Sequence, residues 1–477
     1  MSPVWRIRGL DPHSDTPVEI LHVVLLGFIK YLWRDVIENQ IKKNPEKKAE
    51  LAARLSCINV DGLGLDSSLP GKTLVDYYGS LTGSDFRKIS QVAPFVLKDF
   101  VSKECFETWI ALSKLVPLIW QPEIKDLDSY IVTLEHEIEQ FLLYAAKWSV
   151  RWFNKPKFHI LVHLPAHIRR FGPAMLFATE VFESYNAIIR AKSIHSNRLA
   201  PSRDIALAFA KQNRIRHMLS GGLFLDRSCV TTNKQADQDF QDIQLSQQEH
   251  WVCVGKSVCD VISWSTDTVG KYLGIFEAPK PHWSNTQSGR RVPETALFTS
   301  PEKTQAKFRQ SKDVILVNGD RCMPLSYAAC SAQACIPFAC DGISIVQVLE
   351  ILRIKRPGAL LADSILVEAM IIGTEPSVYG MPSLKHSGKF FVVKPTVLQC
   401  TVNVQHNCYQ NNCQVEQVRA VLQERERTGE VRGAIVHRGD IHDVVLNTAQ
   451  MRDAKFVQRF RLPGKILSFE QELTASA

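Results

Sequence analysis

The sequence predicts an α+β protein, with a mostly helical N-terminal half followed by a small β-rich C-terminal domain. Up to about residue 225, apolar residues recur at three- and four-residue spacing, the period of a half-buried helix. Beyond residue 313 come short β-branched or aromatic runs bounded by Gly and Pro, the pattern of strands. Between them the texture changes: residues 231–250 are rich in Gln and Asp, and residues 278–312 in Pro, Ser, Thr and Lys. The expected divisions are a helical domain over 1–225, a linker and irregular region over 226–312, a β-rich domain over 313–465 and a frayed tail over 466–477.

Taken in order, Val18 to Trp33 is nearly continuous apolar sequence suited to a buried helix, with Pro17 placed to start it. Phe106 to Trp120 and Leu134 to Trp152 carry helical spacing, the second with Ile138, Phe141, Leu142 and Ala145 on one stripe. Glu180 to Lys192 and Ser202 to Leu219 continue the pattern, with Ser202 as N-cap and Gly221-Gly222 as stop. Strands are expected within Asp313–Val317, Ser344–Leu352, Ser364–Val367 and Lys389–Val393, as a small antiparallel barrel or sandwich. Residues 415–427 read as a helix.

The N-terminus lacks the apolar core of a secretory signal, and the run Ile20 to Trp33 is interrupted by His22 and Lys30 and too short to span a bilayer. The expectation is a soluble intracellular protein with no membrane partner. Twelve cysteines, nine of them beyond residue 250, read as reduced thiols with room for one metal site rather than as a disulfide framework.

Charge is unevenly placed. The chain's net charge is +8, yet residues 151–220 alone carry 12 Lys+Arg against 3 Asp+Glu, and everything else is close to neutral. A focused basic stretch is the electrostatic footprint of nucleic-acid binding, and equally the solvated face of a surface helix.

Three groups of residues could carry chemistry. His159 and His163 are four apart and share a helical face, with His167 near it and Pro165 expected to bend or restart the helix. They read either as weak metal ligands or as hydrogen-bonded core histidines. Glu180 and Glu183, with Asn186 and Arg190 on the same stripe, fit the oxygen ligands of a divalent-metal phosphoryl-transfer site, or a surface ion-pair stripe. Together with either glutamate, the His159/His163 pair would make a metal hydrolase. Cys400, His406, Cys408 and Cys413 lie within 14 residues and offer the thiolate and imidazole ligands of a structural Zn2+ site, although the spacing is not that of a standard finger. The alternative for these is buried, reduced cysteines, as expected for Cys330, Cys335 and Cys340.

Several motifs occur in a recognisable order: Asp15-Thr-Pro-Val-Glu-Ile-Leu-His22, Lys155-Pro-Lys-Phe-His-Ile-Leu-Val-His-Leu-Pro, Phe171-Gly-Pro, Thr179-Glu-Val-Phe-Glu-Ser-Tyr-Asn186 and Asn197-Arg-Leu-Ala-Pro-Ser-Arg-Asp-Ile-Ala. Further on stand Val402-Asn-Val-Gln-His-Asn-Cys and Val444-Val-Leu-Asn-Thr-Ala-Gln-Met-Arg-Asp. In these the chain resembles the C-terminal part of CACTA (En/Spm-like) transposases in their fungal form. That resemblance implies a nuclear protein and part of an RNase H-like core with a DDE site, in which two Asp and one Glu hold two Mg2+ or Mn2+ ions. Counting from Gly172-Pro173 assigns the family glutamate to Glu183, with Glu180 the neighbour in reserve. The family's Asp-x-x-His falls on Glu19-Ile-Leu-His22, where Glu replaces Asp and Asp15 is close by. DNA contacts are expected from Arg190, Lys192, Arg198, Arg203, Lys211, Arg214 and Arg216. The chain opens almost directly at Leu10-Asp-Pro-His-Ser-Asp, where the family carries a long N-terminal half with the first catalytic aspartate, so the resemblance implies DNA binding without cleavage or strand transfer. The alternative is a non-catalytic protein- or chromatin-interaction protein that uses the β-rich domain.

Overall fold

A computed structural model describes residues 7–11, 14–65, 67–194, 199–220, 223–225, 251–252, 286–292, 307–331, 336–355, 362–423 and 426–464. The chain divides into two compact units: one holds Met1–Thr179 with Lys280–Ala477, the other Glu180–Pro279. Helices therefore dominate the first part of the chain and strands the last, as an α+β fold, but the strands share a unit with the helices up to Thr179.

In the first unit a wide-turn helix, Leu21–Ile29, runs into α1 (Lys30–Asp35) and a further wide turn at Val36–Gln40. The expected single helix is distorted at Gly27, whose backbone leaves helical angles. The reason is local: the stem of Lys157 lies where a side chain at Gly27 would stand, and the Lys157 amine donates to the carbonyl of His22 (2.6 Å). Then come α2 (Pro45–Ser56), α3 (Gly71–Asp76), α4 (Gly83–Leu97), α5 (Lys103–Ile119) and α6 (Leu127–Trp148). Asn44, Thr82, Ser102 and Asp126 cap α2, α4, α5 and α6 in turn, each accepting from a backbone amide three residues on. Pro165 restarts the chain as expected, separating α7 (Pro156–Ile160) from α8 (Leu164–Phe171). These helices bury one core, with Trp33, Trp109, Phe28, Phe141 and Phe158 fully enclosed.

The strands of this unit are all antiparallel. They are β3 (Lys307–Gln310), β4 (Val314–Ile315), β5 (Arg321–Cys322), β6 (Tyr327–Ser331), β7 (Ile343–Lys355), β8 (Ala362–Pro376), β9 (Pro382–Val393), β10 (Leu398–Val402), β11 (Val404–His406), β12 (Gln414–Gln423), β13 (Glu426–Val436) and β14 (Val444–Leu446). The main sheet runs β10-β6-β7-β8-β9-β14-β11, with β3 added along β7. Its two end strands, β10 and β11, are separated by the single residue Asn403, so the sheet must curl back on itself. Alternation places Ala328, Cys330, Val346, Val348 and Val367 in one apolar cluster and Tyr327, Ala329, Ile345 and Cys400 in another, one on each face. The expected strands over 344–352, 364–367 and 389–393 fall within β7, β8 and β9, whereas only Val314–Ile315 of the expected 313–317 is a strand, β4.

The described residues of 415–427 are not helical. They belong to the hairpin β12–β13, whose register pairs Gln414 with Val436 and Gln423 with Glu426. The sequence Val415-Glu-Gln-Val-Arg-Ala-Val-Leu has helical spacing, but cross-strand pairing and packing on α2 prevail; a Cβ at Gly433 would touch Ala53.

A buried amide network seals the helices to the strands. Asn403 Nδ2 donates to the carbonyls of Asn59 (2.8 Å) and Asp61 (2.7 Å), and Gln405 Nε2 to Asn59 (2.6 Å). Asn447 Nδ2 donates to Gln91 O (3.0 Å), while Gln91 Oε1 accepts from the Met451 amide (2.8 Å). Gly62 has φ +76°, and any Cβ there would strike the Val402–Asn403 backbone.

In the second unit, α9 (Glu180–Ile194) and α10 (Pro201–Leu219) form a hairpin, with the rings of Tyr185 and Phe209 6.5 Å apart. Ser202 is not the N-cap of α10: Ala200 holds that place with no side-chain cap and Pro201 opens the first turn. Gly221-Gly222 lies outside the described residues. β1 (Phe224–Leu225) pairs with β2 (Trp251–Val252).

Candidate metal centre

The base of the hairpin β12–β13 gathers four metal-ligating side chains. Because Gln414 pairs with Val436, the next residues outward, Cys413 and His437, are brought opposite each other. His406 ends β11, and the tight turn that follows returns Cys408 to it, with Cys408 N donating to His406 O (2.8 Å) and Cys413 N to Cys408 O (2.9 Å). Asn412 takes φ +51° in that turn, a conformation asparagine tolerates better than most side chains.

The ligand atoms of His406, Cys408, Cys413 and His437 all lie within 4.8 Å of one another, and this group could hold a metal ion. His406 Nδ1 is 3.5 Å from both Cys408 Sγ and Cys413 Sγ, and Cys408 Sγ is 3.6 Å from His437 Nδ1. Supporting bonds orient them. His406 Nε2 meets the Asp440 carbonyl (3.1 Å), which fixes the proton on Nε2 and turns the Nδ1 lone pair toward the sulfurs. The Arg438 amide donates to Cys413 Sγ (3.3 Å).

Burial holds both kinds of donor in their uncharged forms. Burial, and then the neighbouring Cys413, push the Cys408 thiol up to about 12. Burial, and then His406, lower His437, so its imidazole is neutral. Two imidazoles and two thiols, with no carboxylate in the group, make a soft N/S donor set, and a bound cation would draw the thiol protons off.

Of the four residues expected from sequence, three are in this group and Cys400 is not. Cys400 is fully buried in β10, opposite Ala329, and serves as apolar packing. The ligand that sequence reading missed is His437. The signal for it was the hairpin register, hidden once 415–427 is taken for a helix.

Away from this centre, Glu19 accepts from the amides of Leu21, His22 and Thr179 (each 2.9 Å) and from His22 Nδ1 (2.6 Å). Burial raises its carboxyl, but these bonds together hold it below the usual range. Asp15 is ion-paired with Arg170 and accepts from the Asp11 amide (2.7 Å). His159 and His163 are exposed and stack edge-on, 5.1 Å apart. His167 Nδ1 accepts from the Val18 amide (2.8 Å), and burial lowers its pKa. Glu180 and Glu183 occupy the first turn of α9, in the second unit. Arg190, Arg203, Lys211, Arg214 and Arg216 are exposed and Lys192 is half-buried; Arg198 lies outside the described residues. The eight cysteines among the described residues form no disulfide. No helix among the described residues is long and apolar enough to cross a membrane.

Residues 274–464 match the model of a domain family of unknown function, DUF8590, which spans the metal centre and all of the strands from β3 to β14. Among curated proteins and among solved structures, nothing matches the chain.

Proposed function

We propose that this chain is a transposase-derived DNA-binding protein that does not itself cut DNA, acting in the nucleus. The observation that carries the reading is the helical hairpin α9–α10. None of its described side chains is buried, and Arg190, Arg203, Lys211, Arg214 and Arg216 are all presented to solvent. A cationic element of this kind gains affinity by releasing counterions from the phosphate backbone. The resemblance in residues 155–206 to CACTA transposases supports the same reading. The engagement of the family carboxylates supports the non-catalytic part of the reading: Glu19 accepts from four donors and Asp15 is paired with Arg170.

The metal centre is assigned to zinc, in a structural role. A tetrahedral zinc with bonds of about 2.3 Å to sulfur and about 2.0–2.1 Å to nitrogen has S···N edges of about 3.5 Å. The three S···N separations of 3.5, 3.5 and 3.6 Å have that length. A zinc held by these four side chains would have no position left for water, the closed coordination of a structural rather than a catalytic site. His406, Cys408, Cys413 and His437 would hold the ion, which would clip the β12–β13 hairpin to the end of β11.

The test is DNA affinity of the full chain as a function of salt. Replacing Arg190, Arg203, Lys211, Arg214 and Arg216 by glutamine is expected to weaken binding and flatten the slope of log K against log salt by about 0.9 for each phosphate no longer neutralised. An unchanged slope and affinity sinks the reading, and cleavage of DNA by the wild-type chain in Mg2+ sinks its non-catalytic part.

A further inference from the structure

A second site lies away from the metal centre. A cavity of about 230 Å³ opens among α5, α6 and the turn Pro376–Gly380 that follows β8. Its walls mix the apolar Ile110, Ala111 and Val378 with polar side chains, Lys114, Glu137 and His136 among them. Lys114 is nine-tenths buried. Its amine has one hydrogen bond among those described, a long one of 3.4 Å to the Leu462 carbonyl. Beside it, Glu137 is ion-paired with Arg461, both side chains being 12% exposed.

The charges do not balance. Lys114 and Arg461 are two buried cations, and Glu137 is the acidic side chain whose field reaches them. Arg461 already holds that carboxylate, so among the described residues the ammonium of Lys114 has no counter-ion of its own. Glu107, also on the wall, is drawn toward Lys103 (4.0 Å). Burial, and then the field of Arg461, hold the Lys114 amine below its ordinary value, the response of a cation short of a partner. Leaving a charge buried and unpaired destabilises a fold by more than it gains from packing the stem of one lysine.

We propose that this cavity is a binding site for a small carboxylate with a short apolar body, its anionic head on Lys114 and its body against Ile110, Ala111 and Val378. The deficit is a single negative charge, which selects a monoanion. The apolar side chains that share the lining with the amine select a ligand with one charged end.

The test uses the full chain and butyrate as probe in isothermal titration, with butan-1-ol and inorganic phosphate as comparisons. Butyrate is expected to bind saturably and butan-1-ol, its uncharged counterpart, not to bind. Lys114→Met should weaken butyrate binding about tenfold or more, the value of one hydrogen bond to a charged group. The same variant should raise the melting temperature of the ligand-free protein, because it removes an unpaired charge; a purely structural lysine would lower it. Gly464→Ala is the second variant, since a Cβ there would collide with Lys114 Nζ and displace the amine while keeping its charge. It should weaken butyrate several-fold with little change in fold. Equal butyrate affinity in the wild type and both variants, no butyrate binding at all, or binding of phosphate in preference to butyrate would each overturn the proposal.

Discussion

Asn403 shows how much a single residue decides here. It is fully buried between β10 and β11, and its amide group answers two helical-side carbonyls while its oxygen accepts from Gln405 (2.8 Å) and Asn447 (2.8 Å). Asn403→Ala strands those groups without water, and the expected loss is about 3 kcal/mol, read as a lowered denaturation midpoint. Replacement that left the midpoint in place would show the network to be dispensable. Glu19 makes a pH prediction. Its carboxyl lies below the ordinary 4.5 in the folded chain, so the folded state binds fewer protons than the unfolded one. Its contribution is therefore present above about pH 4.5 and lost as the pH falls through the lowered folded value. Glu19→Gln should be less stable than wild type at pH 7, with the gap closing on acidification; a gap independent of pH contradicts the assignment. Neither role was legible in sequence, where Glu19 and Asn403 stand out only through family resemblance.

Among the elements, the hairpin β12–β13 is where local preference and tertiary context disagree most. Its first strand has helical spacing, and only its pairing with β13 and its packing on α2 make it extended. That pairing also builds the metal centre, since it delivers His437 to Cys413. On the zinc proposal, Cys400→Ala is expected to retain one zinc per chain by elemental analysis, whereas His437→Ala should lose most of it and lower the melting temperature. The opposite outcome, with metal lost on removing Cys400, would restore the ligand set suggested by spacing. In contrast, α5 and α6 were readable from their apolar stripes, because their cores are built from residues three and four apart and need no distant partner to be recognised.

For the whole molecule, the helices up to Thr179 and the strands beyond Lys280 belong to one unit. Tyr379, Met381, Val445, Ala449 and Met451 are buried in the same core as the helices. A fragment of residues 313–465 expressed alone should expose these side chains and leave Asn403 and Asn447 without their helical-side partners. It is expected to aggregate or to lack a cooperative thermal transition; a soluble, cooperatively folding fragment would contradict the shared core. The basic hairpin belongs to the other unit, so neutralising its charges should leave the thermal stability of the first unit nearly unchanged while DNA affinity falls.

By itself the sequence determined the α+β class, most of the amphipathic helices, three of the long strands, the placing of the basic stretch and three of the four residues of the candidate metal group. These depend on periodicity, local charge and close spacing, which are properties of neighbouring residues. Only the tertiary structure decided that β12 is extended, that His437 rather than Cys400 joins the candidate metal group, that Glu19 and Asp15 are held by structural partners, and that the buried Lys114 lines a cavity. Each of these depends on a residue far away in the chain: Gln414 on Val436, Glu19 on Thr179, Asp15 on Arg170, Lys114 on Arg461. Such pairings follow from packing the whole core, and no local pattern encodes them.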